Sequence, residues 1–147
     1  MFILNVCEID GDFVMRNIEI YRVEHDTPSG RPVGMFLAQF HTDDDSVKNI
    51  CRYYRNQAPW MPEPEHQAFS SGIPHCIVFG CTSPQELMAW FGYSKVLLRK
   101  VLKEFKIRVY SCSEYYQCNS QVGFSYEDTT NVREITFEEF NTLLRNK

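Results

Sequence analysis

Three short apolar runs, far apart in the chain, constrain its fold more than any other feature. They are Ile20-Tyr21-Arg22-Val23-Glu24, Phe79-Gly80-Cys81-Thr82-Ser83 and Gln121-Val122-Gly123-Phe124. Each reads as a strand, yet each carries polar groups that a packed strand does not require. Strands so distant can pair only through long-range closure. Their order therefore predicts a cleft assembled from separate parts of the chain, in which an arginine, a hydroxyl pair and an amide converge.

Around these runs the pattern alternates between strand and helix. Met1 to Ile9 is β-like, Asp10-Gly11 is a turn signal, and Asn17 to Glu24 alternates again. His25 to Pro32 reads as a loop, and Val33 to Phe40 fits either a strand or a short helix. Asp43-Asp44-Asp45-Ser46 precedes Val47, Ile50, Cys51 and Tyr54, the spacing of a helix with an acidic start and a basic end. Gln57 to Pro74 is a long proline-rich loop. Cys76 to Phe79 is a short strand, and Ser83-Pro84-Gln85-Glu86 reads as a capping box opening a helix that turns Leu87, Met88, Trp90 and Phe91 inward until Gly92. Ser94 to Phe105 is a second helix, basic outside. Strands follow at Lys106 to Cys112, Gln121 to Tyr126 and Val132 to Ile135. Thr136-Phe137-Glu138-Glu139 caps a last helix with Phe140, Leu143 and Leu144 inward. The expected architecture is a single α+β domain over residues 1–147, with a twisted, mostly antiparallel sheet and flanking helices.

The 147 residues are 44% apolar and 14% aromatic, enough for a core without staples and suited to an aromatic-lined pocket. A net charge of −4 gives no general attraction to nucleic acid or anionic membrane. The apolar runs are too short to cross a bilayer. Six cysteines without a C-x-x-C pair, and no signal-peptide pattern, are expected of a cytoplasmic protein with reduced thiols. No metal site is expected: His75-Cys76 with Cys81 matches no zinc spacing.

Each candidate residue has two readings. Arg22 is either a planar fork for a phosphate or carboxylate, or an outward arginine paired with a neighbouring acid. Ser83 is a helix N-cap, to which Thr82 can add a hydroxyl for a sugar or phosphate. Gln121 either fixes a sugar hydroxyl or simply begins a strand. Trp60-Met61-Pro62, exposed in the long loop, suits a protein anchor.

Taken together, these segments resemble the ADP-ribosyltransferase superfamily: Arg22 on an early strand, Cys81-Thr82-Ser83 closing a middle strand, and Gln121-Val122-Gly123-Phe124 opening a late one. The chain also resembles small phage and prophage proteins with an opening Tyr21-Arg22-Val23-Glu24 and a later Phe79-Gly80-Cys81-Thr82-Ser83 followed by Trp90-Phe91. The first resemblance implies NAD as cofactor. Tyr21, Arg22, Thr82 and Ser83 would bind it, and Ser83 and Gln121 would stand at the catalytic positions. Gln121 replaces the glutamate of that pattern and cannot act as a carboxylate; Glu24 or Glu127 would have to substitute. The function expected is a phage accessory protein acting on a host defence system through a nucleotide-shaped cleft. Its rivals are a non-catalytic inhibitor of a host protein and a sponge for a signalling nucleotide.

Overall fold

The computed structural model describes residues 14–28, 30–59, 61 and 65–146. The expected strand before Asp10 lies outside these. The fold is the α+β domain the pattern predicts. Strand β1 (Val14–Glu24) is followed by helix α1 (Asp45–Gln57), strand β2 (Val78–Gly80), and helices α2 (Pro84–Ala89) and α3 (Lys95–Val101). Strands β3 (Lys106–Gln117), β4 (Val122–Phe124) and β5 (Thr129–Ile135) and helix α4 (Phe137–Arg145) complete it.

The sheet is antiparallel and curls on itself. β3 is its spine, pairing with β1 along one edge and with β4 and then β5 along the other. β2 pairs outside β4. The residue after β2, Cys81, bridges back to Tyr21 on the free edge of β1. The path β1-β3-β4-β2 thus nearly closes, which places the three polar strand segments of the sequence around one end of the sheet. Closure depends on Gly80. A Cβ there would lie 2.3 Å from Ile20 Cγ2 and 3.0 Å from Arg22 Cγ, so only glycine lets the two strands cross this closely.

Strand alternation sends one set of side chains to each face. Tyr21, Val23, Ile107, Val109 and Ile135 pack under the helices with Val47, Leu98, Val101 and Phe140. Ile20, Tyr110, Cys112, Val122 and Phe124 fill the inside of the curl. The helices are capped as local chemistry dictates. Asp44 accepts from Ser46 N–H at the head of α1, and Thr136 and Glu139 bond each other's backbone N–H in a reciprocal capping box at α4.

Several boundaries differ from expectation for identifiable reasons. The ambiguous stretch 33–40 is a turn ending in a short 3-10 helix, Ala38–Phe40, because Gly34 C=O accepts from both Leu37 and Ala38 N–H. At α2 Ser83 does cap, but the Glu86 carboxylate bonds Thr82 rather than Ser83, so the box is not reciprocal. β3 runs on to Gln117, five residues beyond Cys112, since β1 and β4 both offer it ladder partners. Cys51, Cys81, Cys112 and Cys118 are buried thiols, but Cys76 is disulfide-bonded. That corrects the all-thiol expectation: disulfides form between cysteines brought close in space, which spacing along the chain does not reveal. Among the described residues no helix is long and apolar enough to cross a membrane.

Candidate functional site

Inside the curl lies a buried ionic cluster centred on Glu24, which is 0% exposed. Arg22 donates Nε–H to one carboxylate oxygen at 2.8 Å, and Arg108 donates to the other at 3.3 Å. The hydroxyls of Tyr110 and Tyr126 each donate to Glu24 as well. Alternation on β1 puts Arg22 and Glu24 on the same face, and the β1–β3 register sets Arg22 opposite Arg108. Burial opposes the charge on Arg22, but Tyr126 and Glu24 outweigh it and hold the guanidinium above its ordinary pKa. Burial, reinforced by Glu24, pushes the Tyr110 hydroxyl far up, so it stays a donor.

Arg108 extends the cluster to the surface, where it forks onto Asp26 through two bonds of 2.7 Å. The bond from Arg108 lowers the Asp26 pKa from its ordinary 3.8 to about 2. A carboxylate depressed in the folded state stabilises the fold above its unfolded value and loses that contribution as pH falls through the folded one. Asp26→Asn is therefore expected to flatten the acid limb of the stability–pH curve between about pH 4 and pH 2, read from urea midpoints across that window.

Beside this cluster a cavity of about 720 Å³ opens to the surface. Its size is that of a small-molecule or side-chain pocket. Tyr21 and Val23 line it from β1, Leu87 from α2 with Trp90 and Phe91 just after it, Tyr54 from α1, and Ile77 to Cys81 from β2 and the residues flanking it. Its mouth is apolar and open to solvent, with Phe36 58%, Leu37 56% and Ile73 48% exposed. Phe36 stands edge-on to Tyr54, 6.1 Å between ring centres, and the Tyr54 hydroxyl is tied to Trp90 C=O at 2.8 Å. The lining residues with polar side chains are few: Tyr21, Arg22, Tyr54, His75, Cys81 and Gln121. No aspartate or glutamate is among the described lining residues.

The sequence candidates divide into two groups. Tyr21, Arg22 and Gln121, together with Cys81, line this one cavity. Arg22 is held by Glu24 and by Phe79 C=O, which accepts from Nη1, while Nη2 has no hydrogen-bond partner among the described residues. Gln121 precedes β4 and closes the β3–β4 turn, its C=O accepting from Cys118 N–H at 3.0 Å. Thr82 and Ser83 do not line the cavity. Thr82 N–H and Oγ–H both bond the Glu86 carboxylate, at 3.0 and 2.6 Å, and Ser83 accepts from Glu86 N–H at 3.1 Å. Ser83→Ala is expected to cost about 1 kcal/mol of stability through the lost cap, leaving the cavity unchanged; thermal unfolding checks it.

Of the alternative acids, Glu24 is enclosed in its cluster and Glu127 is not among the lining residues. Met61 of the expected Trp60-Met61-Pro62 anchor lines the cavity, and its two neighbours lie outside the described residues. Sequence reasoning missed Tyr54, Phe36, Leu37 and the tyrosine pair around Glu24. Phe36 and Leu37 in a Gly-initiated turn were the available signal: two large apolar side chains where a loop has no core to enter.

No curated protein and no solved structure matches the chain, and nothing in the comparisons supports the ADP-ribosyltransferase resemblance. The phage resemblance fares differently. The family model described as Bacteriophage T4 Y00F protein matches residues 15–138, and with so much of its length covered, the chain belongs to that family of phage proteins.

Proposed function

We propose that this phage protein is an accessory factor that works by binding, capturing an apolar segment of a host protein in the cavity beside Arg22. The observation that carries this reading is an aromatic cavity with a solvent-exposed apolar mouth and no carboxylate on its described wall. Glycosyl transfer develops positive charge at the reacting centre, and a positioned carboxylate opposite it supplies several kcal/mol. Without one, the cavity is suited to holding rather than transforming. Large apolar anchors entering desolvated pockets dominate the affinity of protein interfaces. The place of action is the host cytoplasm, where phage gene products meet host machinery.

A nucleotide sponge is the second reading, with NAD, ADP-ribose or a cyclic dinucleotide as ligand. The charge arrangement weighs against it. Arg22 is the sole arginine or lysine among the described lining residues, and Glu24 already compensates it. A diphosphate here would bring two negative charges into an apolar wall with one neutralised cation to meet them.

Size-exclusion analysis of host extract with the wild type and with Phe36→Asp tests the reading, alongside calorimetry with NAD, ADP-ribose and cyclic dinucleotides. A stoichiometric host-protein complex lost in the variant, with no heat from the nucleotides, is the expected result. Nucleotide binding that disappears in Arg22→Ala would replace host-protein capture with the sponge.

A further inference from the structure

We infer that the cavity seats a main-chain amide of an extended peptide against Val23; this rests on the reading that it captures part of a protein. Main-chain groups of a strand alternate between its two edges. On the outer edge of β1, Tyr21 N–H and C=O bond Cys81 at 2.7 and 3.0 Å, and His25 N–H and C=O bond Val33 at 2.8 and 2.9 Å. Val23 stands midway between these bridges, so its N–H and C=O point to the same edge. Its pairing with Ile107 on β3 must then be of the non-hydrogen-bonded kind, as alternation from Tyr21 and His25 requires. Outside the β1–β3 ladder neither group has a hydrogen bond among the described residues, and alternation turns both away from that ladder.

The gap is built by the chains on either side. β2 crosses β1 at Gly80 and carries Phe79 C=O to Arg22 rather than along the β1 edge. After Val33 the chain turns away at Gly34, whose C=O accepts from Leu37 and Ala38 N–H. Val23 is buried and lines the cavity, so an unpaired donor and an unpaired acceptor lie at its wall. Native interiors seldom leave such a pair unmatched. Arg22 Nη2 stands beside Gly34, where an added Cβ would be 3.3 Å away.

The chemistry of these groups selects the ligand. A hydrocarbon answers neither Val23 group, and a phosphate ester offers acceptors only. A peptide unit offers one donor and one acceptor, as in strand addition to a sheet edge. The rim adds a charge preference. Arg31, bonded to Cys76 C=O at 3.1 Å, and Arg55, bonded to the Gln39 side chain, have no carboxylate partner among the described residues. Cys76 follows His75 of the lining and Gln39 lies two residues after Leu37, so these bonds tie Arg31 and Arg55 to the two chain segments that form the mouth. The occupant is thus an extended segment with an apolar centre and acidic flanks, belonging to a partner protein.

The probe is a fluorescent synthetic peptide with a Leu-Phe-Leu centre between runs of glutamate, read by anisotropy. Two further peptides carry N-methylation at the central residue or lysine in place of glutamate. N-methylation is expected to weaken binding about tenfold by removing the donor to Val23 C=O, and lysine flanks about tenfold at low salt. Hydrogen exchange by NMR supplies a readout independent of the peptide's affinity. The Val23 amide of the free protein should exchange faster than those of Arg22 and Glu24, and should slow when the parent peptide is added.

Equal binding of parent and N-methylated peptides overturns main-chain seating while leaving host-protein capture through the cavity in place. A Val23 amide already as protected as its neighbours shows the edge to be filled and overturns it too. Failure of every peptide to bind also overturns it; if Phe36→Asp then still retains the host protein, the capture reading falls as well.

Discussion

Glu24→Ala is expected to be the most damaging substitution in the molecule, lowering stability by about 3–5 kcal/mol. The carboxylate is fully buried and receives Arg22, Arg108, Tyr110 and Tyr126. Its removal leaves the buried Arg22 guanidinium without a countercharge, and two hydroxyls without their acceptor. Each lost partner exposes a desolvation cost that the intact cluster hides. Against a typical total of about 5–15 kcal/mol, such a loss puts much of the population in the unfolded state. Urea titration with the intrinsic tyrosine and tryptophan signal measures it. A double variant, Arg22→Met with Glu24→Leu, should be less destabilised than Glu24→Ala, because an apolar pair leaves no orphaned charge. A midpoint for Glu24→Ala within experimental error of wild type would mean that the cluster is not a structural keystone.

Gly80→Val ranks second and acts through shape alone. The first added carbon would overlap Ile20 Cγ2 at 2.3 Å and press on Tyr21 C=O at 3.1 Å. Ile20 is β-branched and fully buried, so its methyl has no free rotamer into which to retreat. The strands must separate, at an expected cost of about 3 kcal/mol. Separation also breaks the Tyr21–Cys81 bridge and moves Phe79 C=O away from Arg22. Two readouts should therefore change together: the thermal midpoint falls, and the Tyr21 amide loses its protection from exchange. Loss of stability with Tyr21 still protected would show that the strands accommodate valine elsewhere.

Much of the fold was legible because its signals are local. Asp44 before α1 and Thr136 before α4 cap their helices through atoms a few residues away, and Leu87, Met88 and Phe140 follow a helical period. The strand alternation of Tyr21 and Val23 against Ile20 and Arg22 likewise predicts two faces without saying what covers each. Thr82 and Ser83 show the limit of that kind of reading. Hydroxyls at a strand-to-helix junction look the same whether they serve a ligand or a cap, and here their bonds go to Glu86.

By itself the sequence determined an α+β domain, the placement of most of its helices and strands, and the unusual polar content of three strands. Those follow from capping chemistry, side-chain period and turn residues, all of which act over a few bonds. Tertiary structure alone decided that β2 returns to β1, that Glu24 is enclosed by two arginines and two tyrosines, and that Tyr54, Phe36 and Leu37 join Arg22 around one cavity. Each depends on the curl of the sheet, set by the summed packing of residues far apart in the chain, as in the bond from Tyr126 to Glu24, 102 positions away.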